Sequence, residues 1–131
     1  MPKISWYDFR NDGTRTTYNE HNFGIVHNEA YNCAPKPAAV AYRVMTEEIG
    51  DRPFRRMRKP EEGVYLATFG RSGGPKVTVA WSVNGEVELD VSGDATVRNL
   101  VGNSVSAESG LTVDGSPVYV RGEGVSVELA D

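Results

Sequence analysis

A single cysteine, Cys33, is all that the chain contains, so no internal disulfide can form and the redox compartment stays open. No apolar run approaches the roughly 20 residues that a membrane-crossing helix needs. The opening Met-Pro-Lys-Ile-Ser-Trp lacks the apolar stretch of a signal peptide. A membrane is therefore not an expected partner. Positive charge is not in excess either: 14 Lys and Arg stand against 18 Asp and Glu, for a formal net charge of -4. That balance gives no electrostatic reason to bind nucleic acid. Internal repeats and low-complexity segments are absent. What remains is a chain of 131 residues, 24% charged and 39% hydrophobic, enough for one domain with a real core or a small domain plus an appendage.

The organisation changes near residue 50. Ile4 to Phe9, rich in β-branched and aromatic residues, reads as a buried strand. Arg10 to Asn22 is polar, marked by an Asp12-Gly13 turn, and Phe23 to Val26 reads as a brief extended piece. Pro35 and Pro37 stand where a helix begins, since proline is tolerated in a first turn. Val40, Ala41, Val44, Met45 and Ile49 recur at helical spacing and Gly50 supplies a stop, which predicts a helix over Lys36 to Ile49.

From Phe54 onward the pattern is all β. Val77, Val79, Trp81 and Val83 alternate with Lys76, Thr78, Ala80 and Ser82, and this spacing turns Trp81 inward with the valines. Asn84-Gly85, a preferred two-residue turn, predicts a hairpin with a return strand carrying Val87, Leu89 and Val91 on one face. Further strands are expected at Val64–Phe69, Ala95–Asn99, Val105–Ala107, Leu111–Val113, Val118–Arg121 and Val125–Leu129. Many short strands between glycine-containing turns argue for a sandwich or barrel.

A strand, a polar loop and one helix ahead of an all-β chain match the order of one βα unit. The run Trp6-Tyr7-Asp8-Phe9-Arg10-Asn11-Asp12-Gly13, then Glu20-His21-Asn22-Phe23-Gly24-Ile25-Val26, then Pro35-Lys36-Pro37-Ala38 resembles the final barrel segment of clan A glycoside hydrolases. Family 39-like and cellulase-like members are the nearest, with Phe9 standing where tryptophan is usual. Gly115-Ser116-Pro117-Val118-Tyr119-Val120 resembles the end of the β-sandwich that often follows such barrels. The resemblance implies a mainly β chain: residues 1–50 as the terminal βα unit of a (β/α)8 barrel, and residues 51–131 as a C-terminal antiparallel β-sandwich.

In such barrels the active site lies at the C-terminal ends of the strands. The resemblance places Trp6 as a floor on which a sugar ring stacks, with an indole N–H left to donate a hydrogen bond. The alternative is a strand residue in a core. Asp8, Asp12, Glu20 and His21 fall in or near the loop above, as candidates for binding sugar hydroxyls or for holding the loop together. Retaining glycosidases need two carboxyl groups about 5 Å apart, and the resemblance assigns both to the fourth and seventh strands, outside this chain. Glu20 and Glu29 match neither. The expectation is a non-catalytic C-terminal portion of a glycoside hydrolase, acting on O-glycosidic bonds through its parent barrel, inactive alone and without a cofactor. A solitary barrel strand leaves two unpaired edges, which predicts a homodimer through them or the strand's addition to its own sandwich. The other reading is a self-standing β-sandwich that binds carbohydrate or protein.

Other chemistry finds little in the sequence. Glu20, His21, His27 and Glu29 match no metal-site spacing. No nucleophile-elbow motif accompanies the serines. Gly70 to Lys76 lacks phosphate-loop spacing and precedes a strand. Arg52, Arg55, Arg56, Arg58 and Lys59 read as the charged face of an edge strand, or as a dock for an acidic glycan. Cys33 reads as a packing residue ahead of the helix.

Overall fold

The computed structural model describes residues 5–131. It contains one α-helix, α1 (Pro37–Ile49), and eight strands: β1 (Phe54–Arg58), β2 (Val64–Phe69), β3 (Lys76–Ser82), β4 (Val87–Ser92), β5 (Thr96–Arg98), β6 (Leu111–Val113), β7 (Val118–Gly122) and β8 (Ser126–Leu129). The chain is thus mainly β with one helix, and every strand pair is antiparallel. Two compact units divide at residues 43 and 44, inside α1.

In the second unit five strands form one sheet in the order β1-β2-β3-β7-β5, and three form another in the order β6-β4-β8. Strand alternation gives the larger sheet two buried faces. Val64, Leu66, Ala80, Val97, Val118 and Val120 point one way and meet Leu89, Leu111, Val113 and Val127 of the smaller sheet in a shared core. Ala67, Val77, Val79 and Tyr119 point the other way and pack against Val44 of α1. At the open side of the sheets, Arg58 of β1 donates to both carboxylate oxygens of Glu128 on β8, at 2.8 and 2.7 Å, and so ties edge to edge.

The helix begins at Pro37, whose missing N–H costs nothing in a first turn. Its buried positions, however, are Val44 and Glu48. Met45, expected on the apolar stripe, is 37% exposed. Glu48 is 1% exposed, and its carboxylate takes a 2.7 Å hydrogen bond from Arg98 on β5 and lies 3.8 Å from Arg121 on β7. A buried carboxylate needs such partners, and this pair anchors the last helical turns to the sheet. Tyr119, on β7 opposite Arg98 of β5, has its phenol held above its ordinary pKa by burial and, secondarily, by the Glu48 charge.

Several expectations are corrected. Ser5 to Phe9 form no strand, and Ile4 lies outside the described residues. An isolated parallel bridge joins Arg10 to Val26 instead, and Trp6, Tyr7 and Phe9 are exposed rather than packed as in a buried strand. The Asn84-Gly85 hairpin does not form: β3 and β4 belong to different sheets. Both edges of β3 are already taken by β2 and β7. Gly85 has a positive φ but Asn84 does not, so the backbone does not make the turn that would fold β4 back onto β3. The Val83 N–H donates instead to Gly63, and that of Ser82 to Asp114. The valine face of β3 therefore looks toward the helix, Trp81 is half-buried there, and Val83 is exposed. Val105–Ala107 is not a strand; the Val105 N–H makes one bond to Val97. Cys33 is exposed with a positive φ, not packed.

Candidate functional site

The first unit is organised by polar groups. Asp8 to Asn11 runs alongside Phe23 to Val26 through backbone bonds from Asn11 to Val26 and from Val26 to Phe9, and Val26 is bridged on its other side by Pro35. Asn11 is buried at 6% exposure, and its Oδ1 accepts from the Gly24 N–H at 3.1 Å and from Lys36 Nζ at 2.7 Å. Lys36 also donates to the Asn22 carbonyl at 2.9 Å. The Asn22 amide in turn donates to the carbonyls of Arg15, Thr16 and Tyr18. Gly24 is required where it stands, since a Cβ there would lie 2.2 Å from the Asn11 nitrogen.

Among residues 5–43 only Asn11 and Gly24 are buried. Trp6, Tyr7 and Phe9 are 70%, 66% and 69% exposed. Trp6 sits beside the chain at Phe23, where its indole N–H donates to the Phe23 carbonyl at 3.2 Å. That donor is spent inside the loop, so Trp6 offers its ring face rather than a free N–H. Tyr7 meets Phe23 edge-on at 6.2 Å between ring centroids. The Tyr7–Asp8 peptide is cis.

Three of the sequence-derived candidates act on Tyr7 through their charge. Asp12, then Asp8, with burial and Glu20 adding, hold its phenol above the ordinary value, so the hydroxyl stays a donor in a negative field. Asp8 Oδ1 accepts from the Phe9 N–H, leaving its other oxygen for a further donor. Glu20 lies in the 3-10 turn Asn19–His21 and is exposed. His21 is placed differently. It packs over Gly13, where a Cβ would lie 2.3 Å from its Nδ1. That nitrogen accepts from the Arg15 N–H at 3.2 Å, and the ring meets Tyr18 edge-on at 5.0 Å. His21 holds the loop together.

Sequence reasoning did not single out Tyr7, whose phenol feels the charges of Asp12, Asp8 and Glu20, nor Asn11 and Lys36, which set the loop. The signal for Lys36 is its place between two prolines, and for Asn11 its place beside Asp12-Gly13; neither spacing by itself reveals a bond 25 residues apart in the chain. Beside this surface, Arg10, Asn11, Asp12, Asn28 and Glu29 line a shallow cavity of about 250 Å³. Arg10 and Glu29 pair across it at 2.8 Å, and Asn28 Oδ1 is buried without a hydrogen-bond partner. Among the described residues no group of three or more His, Cys, Asp or Glu is placed to hold a metal ion, and no helix is long and apolar enough to cross a membrane. No model of a known protein family matches the chain, and no curated protein matches it either.

Proposed function

We propose that this chain is a non-catalytic C-terminal portion of a glycoside hydrolase acting on the O-glycosidic bonds of a poly- or oligosaccharide. The first unit serves as the end of the barrel, and the two sheets have a mainly structural part. The observation that carries this reading is the surface of the first unit. Three large aromatic side chains within four residues are open to solvent near Asp8, Asp12 and Glu20 in sequence, and among residues 5–43 only an asparagine and a glycine are buried. A segment with so little apolar core and so much exposed aromatic surface is built to meet something else. Aromatic faces suit the C–H faces of pyranose rings, and carboxylates accept from their hydroxyls. The wording of Trp6 to Ala38, which resembles clan A enzymes, supplies the chemical identity of that partner.

Catalysis in this scheme belongs to two glutamates carried by other barrel strands, so the chain alone is inactive. The test is retention of the purified chain on insoluble cellulose, xylan and mannan, together with turnover of aryl glycosides. Retention on at least one polysaccharide that is lost in Trp6→Ala, with no turnover, is the expected result. Turnover above background, or retention indifferent to Trp6→Ala, refutes it.

One observation favours the second reading, a self-standing binding module. Tyr65 and Trp81 stack on the helix-side face of the larger sheet, 5.1 Å apart and 10° from parallel, with Lys59 Nζ 4.8 Å from the Tyr65 ring centroid. Retention lost in Trp81→Ala and kept in Trp6→Ala would select it.

A further inference from the structure

We propose that the cavity lined by Phe54, Arg55, Arg56, Thr68 and Lys76 is an oxyanion site that takes the carboxylate or sulfate ester of an acidic saccharide. The cavity measures about 450 Å³, within the range of small-molecule sites, roughly 300–1,000 Å³. It lies wholly in the second unit and does not rest on the glycosidase reading.

Its making is local. Cross-strand pairing of Arg56 with Thr68, and of Thr68 with Thr78, sets these side chains in a row on the core-facing side of the larger sheet. Lys76 shares that side with Thr78, two residues on. A register shift between Phe54 and Arg56 leaves Arg55 as an extra residue at the same mouth. Three cationic side chains thereby converge on one cavity in a chain whose net charge is -4.

The remaining arginines of this unit are otherwise engaged. Arg58 is paired with Glu128, Arg71 with Asp51, Arg98 with Glu48, and Arg121 lies near Glu48. Arg52 donates to the Glu48 carbonyl. By contrast, Arg55 has only the Ser72 hydroxyl, at 3.0 Å. Among the described residues, Arg56 and Lys76 have no carboxylate within ion-pair distance. Like charges placed together without counterions repel, and an oxyanion relieves that repulsion while accepting from guanidinium and ammonium donors at once. Thr68, 6% exposed, adds a hydroxyl at the wall, and Phe54, 57% exposed, adds a ring face for a sugar carbon skeleton. The combination of a cationic pocket and an adjoining aromatic ring fits a charged sugar better than a bare ion.

Titration calorimetry of the full chain with trigalacturonate, a sulfated disaccharide and neutral cellotriose tests the assignment. The expected result is saturable binding of at least one anionic saccharide, weakened by added salt and about tenfold or more weaker in Arg56→Gln and in Lys76→Gln. Arg15→Gln, which removes an equal charge at an exposed residue outside the cavity, leaves affinity unchanged. Trigalacturonate alone binding identifies the carboxylate as the group held; the sulfated sugar alone identifies the sulfate ester. Neither anionic saccharide binding, cellotriose binding that Arg56→Gln and Lys76→Gln weaken as well, or all three variants weakening binding alike overturns the proposal. Arg56 and Lys76 are both exposed, so their variants keep the fold, which an unchanged near-ultraviolet circular dichroism spectrum verifies.

Discussion

Replacing Val44 by alanine tests how α1 is held. Val44 is 0% exposed and packs against Ala67, Val77, Val79 and Tyr119. Two carbons leave an apolar site, worth about 1.6 kcal/mol in transfer free energy. Incomplete collapse of the space they vacate raises the cost to about 2–3 kcal/mol. Alanine is the better helix former and returns about 0.5 kcal/mol. The net expectation is a loss of about 2 kcal/mol, or about 8 °C in Tm for a chain of this size. Met45, next in sequence and also apolar, is 37% exposed, so Met45→Ala costs below about 1 kcal/mol. Urea denaturation followed by tryptophan fluorescence reads both variants. Equal losses, or a Val44→Ala loss under about 0.5 kcal/mol, would refute the docking of these helical turns on the larger sheet.

Tyr119 gives a pH signature. Its phenol is raised in the folded state by burial and then by Glu48, so its contribution is fully present below the unfolded value near 10 and is lost as pH rises through the higher folded value. Stability measured by urea titration falls as pH rises above about 10, and Tyr119→Phe makes that fall shallower; an identical fall in both proteins contradicts the assignment. Asn11→Ala strips the acceptor from the Gly24 N–H and from Lys36, which costs the first unit about 1–3 kcal/mol. Hydrogen exchange at Gly24 reads that loss, and unchanged protection there refutes it. Gly24→Ala places a methyl carbon 2.2 Å from the Asn11 nitrogen. The amides of Asn11 and Val26 then lose protection together, whereas retained protection shows that the two segments are not held as described.

The sequence disclosed what depends on neighbours along the chain and concealed what depends on neighbours in space. Proline at a first turn and a trailing glycine place α1 to within one residue, and valine alternation finds β3 and β4. Asn84-Gly85 misleads because turn preference is local, whereas the partner of β3 is set by which edges remain open after β2 and β7 have paired. The valines of β3 pack under a helix because the larger sheet is covered on both faces, and period-two alternation carries no information about which face meets what. Glu48 is missed for a related reason. A glutamate beside Val44 and Ile49 reads as solvent-facing until Arg98 and Arg121, far along the chain, are brought beneath it. At the candidate surface the carboxylates at 8, 12 and 20 were legible as residue types, while the bond from Lys36 to Asn11 that ties the loop joins residues 25 apart and was not.

The most direct test of the glycosidase assignment is the native messenger, sequenced upstream of the codon for Met1. The assignment predicts an in-frame coding run of seven further βα units, with one glutamate at the end of the fourth strand and another at the end of the seventh. An upstream frame that encodes no such units contradicts it.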